Sequence, residues 1–279
     1  MRAVLTIAGS DSMAGAGIQG DLKTFAALGV YGTAAVTAIT SQNTSGVLDV
    51  LPLPPETVLA QIQAVAADVS LSAVKTGMMA TGGIAQAIAE TLKGLGRPNL
   101  VVDPVMAASG SGRRTLLSPD AVEILKARIL PLATVVTPNI AEAQALTGID
   151  VRTLAHALEA AKRILDYGPR AVVVKGGHLG GTDAVDLLYD GTSTLEFSAP
   201  RSAHSSVHGT GCAFASAIAA GLALGDDLPV AVQRAKTYVA GAIMHSFEMG
   251  AGARLLDHFW NKMGSDPLFT FSGNRSEPE

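Results

Sequence analysis

The sequence predicts an α/β fold, a mostly parallel sheet with helices on both faces. Two observations carry this. Short apolar runs rich in β-branched residues alternate with longer amphipathic segments along most of the chain. Many of these runs end on glycine or polar residues, as strands do when they carry side chains to the carboxyl edge of such a sheet.

The elements follow in order. Ala3–Ala8 is a buried strand that ends at Gly9-Ser10-Asp11. A glycine-rich loop leads to a helix from about Gln19 to Leu28, with Leu22, Phe25 and Ala26 inward and Gly29 as its stop. Gly32–Ile39 is a second strand. Pro54-Pro55-Glu56 opens a helix through Ala67, and Ala73–Lys75 is a short strand before Thr76-Gly77-Met78. A helix from Gly83 to Lys93 leads to the strand Leu100–Val102, which ends on Asp103-Pro104. Ser118-Pro119-Asp120 caps one helix to about Ile129, with proline at its first position. The strand Thr134–Val136 ends on Thr137-Pro138-Asn139 and is followed by helices at Ile140–Leu146 and Thr153–Leu165. Ala171–Val174 ends at Lys175-Gly176-Gly177. Asp183–Leu188 and Thr194–Phe197 form an antiparallel pair. Two helices, Thr210–Leu224 and Leu228–Phe247, close the fold. One domain over residues 1–263 is expected, with a polar tail at 264–279.

Composition narrows the function. The chain has 279 residues, 48% hydrophobic and 16% charged, which is enough for a large buried core. Aromatics make up 4% and the net charge is −4 without a basic run, so neither nucleic acid nor a membrane surface is the expected partner. A single cysteine excludes an internal disulfide and a cysteine-rich zinc site, and fits a reducing compartment. The apolar stretch after Arg2 is short for a signal peptide, and no segment has the length of a membrane span, so a cytoplasmic location is expected.

The most informative stretch is Ser206-Val207-His208-Gly209-Thr210-Gly211-Cys212, which runs straight into an apolar helix. The first turn of a helix carries unpaired N–H groups and the positive end of the dipole, and so attracts phosphate. Gly209 and Gly211 allow an anion to approach the main chain, with Thr210 between them. Cys212, the one cysteine, is expected to have a lowered pKa at this helix start and to serve as base or nucleophile. Asn139 and Glu142 share the first turn of their helix, where a carboxylate can hold Mg²⁺ or its waters. Asp103 can share that ion, and Lys175 can reach phosphate as a point charge. A literal G-x-G-x-x-G at Gly15–Gly20 lacks the strand contact and downstream acid of a dinucleotide site, and no Gly-Lys pair exists for a P-loop. His204 and His208 lie in a loop, where no metal site is expected.

These residues resemble the ribokinase-like small-molecule kinases, and within them the hydroxymethylpyrimidine/phosphomethylpyrimidine kinases of thiamine biosynthesis. The carriers are Ile7–Asp11, Gly15–Gln19 with Asp21–Phe25, Thr37–Thr44, Lys75–Met78, Asp103–Met106, Thr137–Asn139 with Glu142, Lys175–His178 and Gly209–Cys212. The resemblance implies a ribokinase-like fold and an ATP- and Mg²⁺-dependent kinase acting on 4-amino-5-hydroxymethyl-2-methylpyrimidine and then on its monophosphate. It implies that Gly9, Gln42, Met78 and Val105 surround the pyrimidine with Asp21 close by. Asn139, Glu142, Asp103 and Lys175 would serve ATP and Mg²⁺, and Gly209 to Cys212 would form the anion hole. A homodimer is implied as well. The cysteine is shared with some pyridoxal kinases, so a vitamin B6 kinase is the alternative. Two loops depart from the family pattern, Ser206-Val207-His208 and Ala107–Gly112, the second lacking the frequent Lys or Thr.

Overall fold

In the computed structural model the described residues are 1–96, 98–107, 115–177, 180–202 and 207–261. The expected tail at 264–279, His178, His204, Ser206 and most of the Ala107–Gly112 loop lie outside them.

The chain runs β1 (Ala3–Asp11), α1 (Gly17–Ala27), β2 (Tyr31–Asn43), β3 (Gly46–Pro52), α2 (Pro55–Asp68), β4 (Leu71–Thr76), α3 (Gly82–Gly94) and β5 (Asn99–Val102). It continues with α4 (Pro119–Ile124), β6 (Val135–Val136), α5 (Ile140–Thr147), α6 (Leu154–Leu165), β7 (Val172–Val174), β8 (Asp183–Tyr189) and β9 (Thr194–Pro200). The last elements are β10 (Val207–His208), α7 (Thr210–Leu224), α8 (Leu228–Met244) and β11 (Arg254–Leu255).

β1 to β9 form one sheet in the order β3-β2-β1-β4-β5-β6-β7-β8-β9. Strands from β2 across to β7 are parallel, while β3, β8 and β9 pair antiparallel at the two ends. The chain places β2 on one side of β1 and β4 on the other. That reversal opens a crevice beyond the carboxyl ends of β1 and β4, where open α/β sheets bind ligands.

Alternation along the strands separates two cores. Leu5, Ile7, Val74, Val102, Val136 and Val172 face the layer that includes Ile62, Ile84, Ile88, Leu125 and Ile164. Val4, Ala73, Val101, Val135 and Val173 face Phe25, Phe214, Ile218 and Tyr238, on α1, α7 and α8. α7 is apolar all round and buried from Ala213 to Ala223, because it lies between the sheet and its neighbouring helices α1 and α8.

Three departures from the sequence reading have local causes. β3 was not expected; it is an edge strand, mostly exposed, and lacks the continuous apolar run of a central strand. The helix expected over 118–129 is α-helical only to Ile124. It widens to a π-helical turn at Leu125–Ile129 and tightens to a 3₁₀ turn at Leu130–Leu132, where Pro131 cannot donate to the preceding turn. The last helix stops at Met244 rather than Phe247, and the Phe247 N–H donates to Leu255 O instead, at 3.0 Å.

Phe25 is fully buried in the second core. Phe25→Ala is expected to cost about 3–5 kcal/mol in urea unfolding. A loss below about 1 kcal/mol would mean that α1 does not depend on this contact.

Candidate active site

The start of α7 is fixed by backbone contact. Gly209, its N-cap, has φ +86, and a Cβ there would collide with the Gly15 carbonyl oxygen. Only glycine combines that dihedral with that approach. The Gly209 carbonyl accepts from Ala213 N–H at 2.9 Å. No side chain caps the helix, and among the described residues the amides of Thr210, Gly211 and Cys212 have no hydrogen-bond acceptor. They make a turn of unpaired donors at the start of α7.

The Gly15–Gly20 run now has a reason unrelated to dinucleotides. A Cβ on Gly15 would press on His208 and Leu255, one on Gly17 (φ +55) on the Gly9 carbonyl, and one on Gly20 on the Gly15 carbonyl. Asp11 holds this loop. Its Oδ1 accepts from Met13 N–H at 2.9 Å, and its Oδ2 from Gly15 N–H at 3.1 Å and Ala16 N–H at 2.8 Å. His208 Nε2 lies 2.9 Å from the same oxygen. Burial works to raise the Asp11 pKa, but the His208 bond and the loop amides outweigh it and hold the carboxyl below its usual range.

The predicted nucleotide residues converge. Lys175 Nζ donates to Asp103 Oδ1 at 2.9 Å, and a Cβ on Gly211 would sit 3.2 Å from the same ammonium. Burial disfavours the Lys175 charge, yet Asp103 and then Glu142 keep it protonated. Asn139 and Glu142 form a capping box: Glu142 N–H donates to Asn139 Oδ1 at 2.9 Å, and Asn139 N–H to Glu142 Oε2 at 2.8 Å. Burial, with the Asp103 charge, lifts the Glu142 pKa to about 7 against the pull of Lys175.

Of the residues expected around the pyrimidine, Gly9 and Met78 meet, with a Cβ on Gly9 falling 3.0 Å from Met78 Sδ. Val105 packs against the first core, which contains Met78. Gln42 is half-buried, with its amide 2.9 Å from His208 Nε2 at the rim of the Asp11 loop.

Two expectations are corrected. Asp21 does not border the substrate space. It is fully buried, with its oxygens taken by Thr6 Oγ1 (2.5 Å), Lys75 Nζ (2.8 and 3.0 Å) and Ser216 Oγ (2.7 Å). Its place on the inner face of α1 points it into the sheet. Cys212 does not have a lowered pKa. Burial pushes the thiol up to about 12, and neither Lys75 nor the Gly17 N–H facing it compensates.

Lys75 is the residue that sequence reasoning left without a role. It is fully buried under the site. A lysine at the inward register of an apolar strand, two residues after the buried Ala73, was the available signal.

Comparison with known proteins adds an independent finding. The family model for phosphomethylpyrimidine kinase matches residues 11–257. A hydroxymethylpyrimidine/phosphomethylpyrimidine kinase of Streptomyces coelicolor is 48% identical over 257 residues, 92% of this chain and 94% of that one. The structure of Staphylococcus aureus pyridoxal kinase in complex with AMP-PCP and pyridoxal superposes with a TM-score of 0.86 at 37% identity, covering 94% of this chain and 95% of that one. That of a phosphomethylpyrimidine kinase from Clostridium difficile gives 0.77 at 43% identity, over 87% of this chain and all of that one (100%). The fold is therefore the ribokinase-like one expected, and the chain belongs to the phosphomethylpyrimidine kinase family.

Proposed function

We propose that this protein phosphorylates 4-amino-5-hydroxymethyl-2-methylpyrimidine with ATP and then phosphorylates the resulting monophosphate to the diphosphate, in thiamine biosynthesis. The observation that carries the reading is the turn of unpaired amides at Thr210–Cys212, with Lys175 at its side and family membership behind it.

The residues present fit ATP and Mg²⁺. Asp103 and Glu142 are hard oxygen donors, and Glu142 is buried with a raised pKa beside a second carboxylate, a situation that a cation relieves. Among the described residues no three His, Cys, Asp or Glu side chains cluster as a metal cage. That suits an ion held mainly by nucleotide phosphates and water. When bound, Mg²⁺ would neutralise charge on those phosphates.

The chain's own groups then divide the work. Asn139 and Glu142 present the nucleotide side, and Lys175 supplies a point charge toward the γ-phosphoryl. Gly9, Met78, Val105 and Gln42 border the pyrimidine, whose hydroxyl oxygen forms the new bond to phosphorus as the bond to ADP breaks. The amides of residues 209 to 212 face the group in flight and meet its charge without reorganising. Cys212 takes the hydroxyl proton in its minor, ionised form. Since its pKa lies far above neutrality, the ionised fraction grows about tenfold per pH unit through the neutral range.

A coupled assay with ATP, Mg²⁺ and hydroxymethylpyrimidine is expected to release ADP and to yield monophosphate before diphosphate, with a higher kcat/KM than for pyridoxal. No turnover of the pyrimidine would overturn the reading, and a preference for pyridoxal would move it to the vitamin B6 kinases. Gln42→Ala is expected to raise the KM for the pyrimidine while leaving that for ATP in place; an unchanged pyrimidine KM removes Gln42 from the ring. Cys212→Ala is expected to lower kcat by about 10²-fold with nearly unchanged substrate binding. The wild-type enzyme should show log kcat climbing with pH across pH 6–8 by about one unit per pH unit, and the variant should lose that climb. A flat wild-type profile would assign the work to the backbone alone.

A further inference from the structure

The core beneath the site holds a charged cluster that the transfer itself does not touch. Lys75 on β4 and Asp21 on α1 form an ion pair at 2.8 Å, and both side chains are fully shut off from solvent. Among the described residues no other Lys or Arg is as deeply enclosed. Asp21 has its oxygens bonded by Thr6 of β1 and Ser216 of α7 as well as by Lys75, which fixes it between helix and sheet. Such a pair contributes little to stability, because desolvation offsets the attraction, and well-packed apolar residues would serve the fold as well. Stability alone does not account for it.

Its position suggests another use. Ser216 lies one helical turn below Cys212 on α7, about 6 Å along the axis. The Lys75 ammonium curls beneath the carboxyl end of β4, where a Cβ on Gly77 would come within 2.9 Å of it. Lys75 Nζ and Ser216 Oγ share the Asp21 Oδ1 atom, at 3.0 and 2.7 Å, so the ammonium sits against α7 one turn below Cys212. With water excluded, a fixed charge acts over such distances far more strongly than it would in solvent. Asp21 keeps the ammonium protonated although burial opposes it.

We propose that the Lys75–Asp21 pair is an electrostatic floor to the anion hole, in which Lys75 holds a permanent positive charge under the Gly209–Cys212 turn that stabilises the phosphoryl group in flight. Lys75 acts through the field and makes no contact with substrate, so it is a positioning residue. The inference rests on the kinase reading above and adds a group that the reading does not need. It also gives Asp21 a part in the site that its burial denies it as a substrate contact.

The test is the neutral pair Lys75→Met with Asp21→Asn in one chain, alongside Lys75→Met alone. The single variant leaves a buried carboxylate unpaired and is expected to be markedly destabilised. The double variant is expected to fold with a urea midpoint close to that of the wild type, with KM for ATP and pyrimidine within about threefold and kcat lower by about tenfold or more. Its affinity for Mg·ADP is expected to be kept and its affinity for Mg·ADP with aluminium fluoride, a mimic of the group in flight, to fall by a similar factor. A folded double variant with kcat and aluminium fluoride affinity within about twofold of wild type overturns the proposal. So does a loss that appears in KM alone. If the wild-type chain turns over no pyrimidine and binds no nucleotide, the kinase reading fails first and this inference falls with it.

Discussion

The structure depends on one close approach, the backbone of Gly209 against the carbonyl of Gly15. It ties the first loop of the chain to the start of its most buried helix, nearly two hundred positions later. Any side chain at residue 209 would separate the two. With them in contact, Gly209 takes a left-handed dihedral and leaves α7 to begin without a side-chain cap. A helix end without partners is normally a defect. Here the unpaired amides lie beside the Lys175 ammonium.

Charge around that place is arranged in two layers. The outer layer is Lys175 and Asp103, each just past the end of a parallel strand, and Glu142, in the first turn of the helix that follows β6. The Lys175–Asp103 pair is only partly open to solvent and stands beside Gly211. Glu142 closes the capping box of its own helix, and burial first and the Asp103 charge second raise its pKa. The inner layer is Lys75 with Asp21, enclosed between β1, β4, α1 and α7. Both layers keep a lysine protonated near the turn. Phosphoryl transfer, which needs charge neutralisation and positioning more than covalent chemistry, is well served by such a layout.

The region around Gly9 and Met78 is built by different means. Gly9 admits Met78 because it lacks a side chain, and Thr37 fastens the Met78 carbonyl by donating to it at 2.6 Å. Gln42 reaches the same region from the far end of β2 and meets His208, which in turn meets Asp11. The end of β2 and the loop after β1 are thus joined through one histidine. The similarity to solved pyridoxal kinases at 37% identity covers nearly the whole chain, so the two kinds of kinase share one frame.

The sequence by itself determined the sheet, most helices and the glycine turn that opens α7, because these follow from local periodicity, caps and glycine placement. The match extends to the ends of α7, read at Thr210–Leu224 and found there. It also determined the family, since motifs spread over the whole chain match it. Tertiary structure decided what depends on environment. The edge strand β3 carries no strong pattern of its own and forms because β2 offers it hydrogen bonds. Cys212 looked acidic from its place at a helix start, but desolvation of the thiol costs its charge more than the nearby lysine returns. Asp21 looked like a ligand contact from its motif, and only the fold reveals that Thr6, Lys75 and Ser216, far apart in the chain, close over it. Burial and the sum of distant charges are properties of the packed molecule, and no short stretch of sequence contains them.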